Sequence, residues 1–214
     1  MKRILSTLIG LAVTLSAFAQ SAEEICDKMD QVLNTLPQDR MAMTVDIKIP
    51  VLGTTTTRTY CFDNKMRMDA KMMGVTVITF DEDNVSYTVA TKDGRTTITI
   101  EDVKGASESS AEEGDMEMFS GITDDYSVSI TKETADAWYI QCKKLKTCTD
   151  KDAPGTMDIV VSKADYMPLS LSAKMSGTRL TMRDFSFEVD EKMCTFNMAD
   201  YPGAKVEDKR GKSK

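Results

Sequence analysis

The stretch "MAMTVDIKI", residues 41–49, decides the fold. Met41, Met43, Val45, Ile47 and Ile49 alternate with Ala42, Thr44, Asp46 and Lys48. Successive side chains of a strand point to opposite faces, so this period of two predicts a β-strand with one apolar and one wet face. The same period recurs at Met66, Met68, Ala70 and Met72, and again at Met167, Leu169, Leu171 and Ala173. Weaker runs follow at 56–62, 75–80, 85–90, 96–100, 126–130, 138–145, 157–161 and 194–198. Between them stand turn pairs such as Asp63-Asn64, Asp93-Gly94 and Ser176-Gly177, of the kind that close hairpins.

Ten to twelve short antiparallel strands, mostly in hairpin order, are expected of a barrel or half-barrel. In residues 180–189 the parity slips: Leu180 and Met182 share one parity, Phe185, Phe187 and Val189 the other. A β-bulge near Arg183-Asp184 would restore one apolar face. One helix is expected, over 20–36. Ser21 and Glu24 have capping-box spacing, Ile25, Met29, Val32, Leu33 and Leu36 have helical spacing, and Pro37 ends it.

Outward from the strands, the chain ends carry different signals. Lys2 and Arg3, an apolar run over 4–18 and Ala17-Phe18-Ala19 predict a cleaved signal peptide, residues 1–19. A single domain over 20–210 and a frayed tail over 211–214 are expected. No cysteine stands at the cleavage point, so the product is expected to be a soluble, exported, periplasmic monomer. Without Lys2 and Arg3, 25 basic residues face 34 acidic ones, a net charge of −9. That balance argues against nucleic acid and against anionic membrane surfaces.

Candidate chemistry is sparse. The chain has no histidine, which removes the usual general base and a common zinc ligand. No phosphate-loop, dinucleotide or nucleophile-elbow motif is present. Asp81 and Asp83 fall in a turn, where solvation accounts for them. Neither enzyme activity nor a cofactor is expected. Five cysteines, Cys26, Cys61, Cys142, Cys148 and Cys194, are an odd number, and in an oxidising compartment Cys142–Cys148 is the expected bridge. Methionine is abundant, with 16 residues and the pairs Met41/Met43, Met66/Met68 and Met116/Met118. Thioethers fill irregular cores and adaptable cavities; they also suit Cu(I), the lesser alternative.

The order of these features carries a resemblance. An amphipathic helix follows the signal, then a strand near 40–43, the hairpin 62–68, a V-x-x-F-D-x-D-x-V-x-Y stretch over 77–87, and the final third "GTMDIVVSKADYMPLSLSAKMSGTRLTMRDFSFEVDEKMCTFNMADYPGAKVEDKR", residues 155–210. Phe196, Pro202-Gly203, Val206, Asp208 and Arg210 stand where the LolA/LolB-like family of periplasmic lipoprotein carriers has its closing strand, turn and edge. The chain resembles that family over most of its length.

The resemblance implies a mainly β fold, an unclosed antiparallel half-barrel of about 11 strands with the N-terminal helix at its mouth; the Gly-, Ser- and Glu-rich segment 105–121 reads as a lid segment, a flap or disorder. It implies a cavity for lipoprotein acyl chains or another lipid, an inner-membrane donor and an outer-membrane acceptor. The family's latch arginine is replaced here by Asp63-Asn64, leaving Arg58 and Arg67 as substitutes, the latter with outward parity. Inward-facing candidates for ligand contact are Met43, Val45, Tyr60, Phe62, Met66, Met68, Trp138, Ile140, Leu169, Leu171, Leu180 and Met182. A binding or sensory module on the same scaffold is the alternative to a carrier.

Overall fold

The computed structural model describes residues 20–50, 53–103, 119, 121–175 and 177–211. The expected signal peptide lies outside them, as does most of the expected lid. Helix α1, Ala22–Leu33, opens with a complete capping box: the Ser21 hydroxyl accepts from the Glu24 N–H and the Glu24 carboxylate accepts from the Ser21 N–H. It stops short of Pro37, as expected.

Strands β1 (Arg40–Ile49), β2 (Gly53–Phe62), β3 (Lys65–Met72), β4 (Val75–Glu82), β5 (Val85–Lys92) and β6 (Arg95–Asp102) form a meander. A short helix α2, Ile122–Asp125, leads to β7 (Tyr126–Glu133), β8 (Ala137–Lys144), β9 (Thr156–Ser162), β10 (Pro168–Met175) and β11 (Thr178–Ser186). Helix α3, Glu191–Cys194, a 3-10 turn over Met198–Asp200 and β12, Lys205–Asp208, complete the chain. The strands make one 12-stranded sheet in the order β12-β6-β5-β4-β3-β2-β1-β11-β10-β9-β8-β7. Its two end strands do not pair with each other, so the sheet is the unclosed half-barrel expected. Among the described residues no helix is long and apolar enough to cross a membrane.

Two local expectations are met. The β1–β11 register shifts by one residue between Ala42↔Ser186 and Thr44↔Arg183, and Asp184 stands at φ 57°. This is the β-bulge near Arg183-Asp184, and it lets Met182, Phe185 and Phe187 all pack with the same core. Pro202-Gly203 turns the chain, and β12 then runs parallel to β6 along the sheet edge, Lys205↔Thr97 to Asp208↔Ile100. One is not met: residues 194–198 form no strand. They leave α3 and place Phe196 against the sheet, stacked on Tyr87 and Tyr201.

That segment explains the most unexpected feature of the fold. The sheet has a core on each face. We call the face that carries α1 inner and the other outer. The inner core joins Ile25, Met29 and Leu33 of α1 to Trp138, Ile140, Ile159, Val161 and Leu171, all buried, and Phe119 seals it. Phe119 meets Phe185 edge to face at 5.3 Å. The outer core lies over β4–β6. Phe80, Val89, Ile98 and Ile100 are buried there, with Tyr87, Phe196, Tyr201 and Ala204 packed against them. Ala42, Val189 and Cys194 continue it, flanked by Tyr60 and Phe62.

Candidate functional site

The register of the sheet defines the inner face residue by residue, because directly paired residues project to the same side. One transverse row crosses eleven strands: Ile130, Ile140, Ile159, Leu171, Met182, Val45, Thr57, Ala70, Val77, Ala90 and Thr97. From β7 to β1 the members are Ile, Leu, Met and Val; from β2 to β6 they are threonine or alanine, with Val77 the exception. The next row repeats the change: Met43, Thr59, Met68, Thr79, Thr88 and Thr99. A third runs Met41, Cys61, Met66, Asp81, Ser86 and Glu101.

The inner face therefore has two halves of different chemistry. Over β7–β11 and β1 it is filled by its own side chains and covered by α1. Over β2–β6, Met66, Met68, Ala70, Val77 and Ala90 are half-buried, and among the described residues none joins any of the three packed clusters. Small side chains leave width above the sheet, the thioethers of Met66 and Met68 adapt to varied shapes, and threonine offers a methyl beside a hydroxyl. Such a surface can hold a flexible apolar chain by burial and a polar group by hydrogen bonding.

The expected contact residues divide accordingly. Met66 and Met68 lie on the open half. Met43 is buried at its boundary, with Val45 and Met182 half-buried beside it and Leu180 half-buried opposite Ile47. Trp138, Ile140 and Leu171 belong to the filled core under α1. Three face elsewhere. Tyr60 pairs with Ala42 and Phe62 with Arg40, so both aromatics sit on the outer face, where α3 and Val189 give them cover. Leu169 falls at a register shift between Pro168↔Val161 and Ser170↔Val160 and is 46% exposed; the extra residue breaks the alternation that aimed it inward.

The candidate latch residues are also outer. Arg58 donates to the Asp184 carbonyl at 2.7 Å and to the Thr44 hydroxyl at 3.2 Å, tying β2 to the bulge. Arg67 makes a bidentate pair with Asp69 and lies over the Tyr60 and Phe80 rings. The expected Cys142–Cys148 bridge is not formed. Cys142 points into the inner core between Val128 and Met157, whereas Cys148 lies past the end of β8 with its Sγ toward the Asp150 carbonyl. Burial pushes the Cys142 thiol up to about 12, helped by the nearby Cys26.

A cleft of about 250 Å³ opens beside α1, lined by Cys26, Asp27, Asp30, Ile122, Thr123 and Asp124 among others. None of the twelve expected residues lines it, and its three carboxylates suit no acyl chain. The same face of β2–β6 also carries Thr57, Ala70, Val77, Thr79, Thr88 and Ala90, none of them among the twelve expected contact residues.

Comparison with known proteins sets this geometry beside others. The chain is similar in structure to LolA superfamily proteins. One, from Nitrosomonas europaea, is 10% identical, with 83% of this chain and 99% of that chain covered and a TM-score of 0.30. An uncharacterized conserved protein from Thermus thermophilus is 14% identical over 87% of this chain and 98% of that chain, with a TM-score of 0.41. A chain of the Pseudomonas aeruginosa MucA/MucB complex is 12% identical over 81% of this chain and 61% of that chain, with a TM-score of 0.39. No family model matches the sequence, and no curated protein does. At these scores the likeness assigns this chain neither a ligand nor a partner.

Proposed function

We propose that this protein is an exported lipid-binding half-barrel that holds an acyl chain against the inner face of β2–β6. The observation that carries the reading is the split inner face, where Met66, Met68, Ala70, Val77 and Ala90 stand half-buried outside every packed cluster. Burial of each methylene of a bound chain contributes about 0.8 kcal/mol, so a ten-carbon stretch supplies about 8 kcal/mol before ordering costs. The threonines of the second row would meet a glycerol or ester group. Cargo of this class is the acyl end of a lipoprotein or a similar lipid, carried through the periplasm from an inner-membrane donor to an outer-membrane acceptor. No covalent step and no cofactor enter.

Native mass spectrometry of protein purified from its own periplasm tests this. Co-purifying lipid or lipoprotein is the expected result. Apo protein alone, together with normal lipoprotein sorting in a deletion strain, would overturn it and leave the binding or sensory module.

One further reading has its own observation. The inner row places Cys61 directly between Met41 and Met66, with Met43 and Met68 in the row beside it. Sulfur ligands of this softness select Cu(I). Cu(I) titration decides it: no binding at micromolar metal removes the metal reading and leaves the sulfurs as lining.

A further inference from the structure

The net charge of this acidic protein conceals a separation between its two ends. In an antiparallel meander successive turns alternate between ends. The β1–β2, β3–β4, β5–β6 and β10–β11 turns therefore share one end of the sheet, and the β2–β3, β4–β5, β7–β8 and β9–β10 turns share the other. The second end is acidic, with Asp63, Asp83, Asp136 and Asp165 in its turns. Three of its cations are committed: Arg40 pairs with Asp39, Lys65 with Glu191 and Lys163 with Glu133.

The first end carries exposed cations and apolar residues over β1–β6, β10 and β11, while Asp124 and Asp125 of α2 stand at the same end beside the start of β7. Lys48, Lys71, Lys92, Arg95, Lys174 and Arg179 are all exposed at strand ends, and among the described residues none has an ion-pair partner. Three of them stand in one row: Lys48 is paired with Arg179, and Arg179 with Lys174. Like charges directly opposite destabilise a sheet. The acid in the adjoining row, Asp46, is held by Arg183 at 2.8 Å and by Thr56 at 2.6 Å. Asp93 is the one acid within these four turns, and Asp150 and Asp152 of the β8–β9 connection are matched by Lys146 and Lys151.

Beside the cations stand large apolar residues with nothing over them. Ile49 is 38% exposed, Met175 43%, Met72 54% and Met73 98%. Ile49, Met72 and Met175 come from three hairpins whose six strands are consecutive in the sheet. Met73 holds φ 50° at the head of its turn, a conformation that asparagine, aspartate or glycine adopts at lower cost. Solvent exposure and backbone preference both disfavour methionine there.

We infer that this end of the sheet docks on an anionic lipid surface. The cation row meets the headgroup phosphates, and Ile49, Met72, Met73 and Met175 enter the apolar boundary beneath them. The acidic turns at the opposite end orient the molecule by repulsion from the same surface.

Vesicle sedimentation of residues 20–214 tests the inference, using phosphatidylglycerol–phosphatidylcholine mixtures against phosphatidylcholine alone. The chain binds the anionic vesicles, and binding weakens as salt rises. The triple variant Lys48→Glu, Lys174→Glu, Arg179→Glu binds at least tenfold more weakly. Met72→Ser with Met73→Ser, an independent change, reduces binding severalfold. Lys192→Glu at the other end binds as the unaltered chain does. Circular dichroism confirms folding of each variant. Absence of binding to anionic vesicles, equal binding by both sets of tip variants, or an equal loss in Lys192→Glu would overturn it.

Discussion

Phe196 stacks on Tyr87 with ring centroids 4.3 Å apart and planes within 10° of parallel. The contact joins residues far apart in sequence and gives the sheet its outer core. It accounts for the inverted pattern of β2–β6, where Tyr60, Phe80, Tyr87 and Val89 face outward and threonine and alanine face inward. Bulky aromatic residues of β2–β6 face outward because the outer face has cover.

Phe196→Ala therefore destabilises the protein by about 2–4 kcal/mol, near the lower part of the range for large aromatic truncations because the ring is only partly buried. Thermal or urea unfolding measures the loss. A change below about 0.5 kcal/mol would show that the outer core is dispensable.

The bulge at Asp184 makes a second prediction. Its φ of 57° suits glycine and penalises a β-branched residue by about 1–2 kcal/mol. Asp184→Gly is expected to fold with near-unchanged stability, and Asp184→Val to lose that amount in urea unfolding. Deleting Asp184 removes the extra residue and leaves Met182, Phe185 and Phe187 in one unbroken inward alternation, with Phe185 opposite Met43, so the deletion variant is expected to fold cooperatively.

Three thiols are predicted to be inert. Burial raises Cys26 to about 12, with Asp27 and Glu23 adding to it, and raises Cys142 to about 12 and Cys194 to about 11. Mass spectrometry after iodoacetamide at pH 8 should find Cys148 alkylated in the folded protein while these three stay protected until urea is added. The same shifts set a pH dependence. Below pH 8 these thiols are protonated both folded and unfolded and stability is flat with respect to them. Above about 9 the unfolded chain releases protons that the folded chain retains, so stability falls as pH rises toward about 12. Urea midpoints at pH 8, 9 and 10 check the sign.

Much of this fold is legible in the residues themselves. The alternation at 41–49, the capping box at Ser21, the parity slip before Phe185 and the Pro202-Gly203 corner each act through neighbours in sequence, and each appears where the pattern puts it. Tyr60 and Phe62 mislead because their parity alone cannot say which face is inner. That depends on α3 and Val189, more than 120 residues later. Leu169 misleads because a one-residue register shift leaves no trace in a short apolar run. The small residues of the inner face, Ala70, Val77 and Ala90, are hard to single out because a proposed surface made by absence of bulk has no motif.

The most direct test of the central claim fills that surface. Ala70→Trp and Ala90→Trp place indoles on the open inner half, away from both packed cores. Binding of a fluorescent long-chain fatty acid should fall at least tenfold in each variant, while the thermal midpoint moves little. Tyr60→Ala, on the outer face, should bind as the unaltered chain does. Unchanged binding in both tryptophan variants would contradict the account, because the ligand would then lie somewhere other than the inner face of β2–β6.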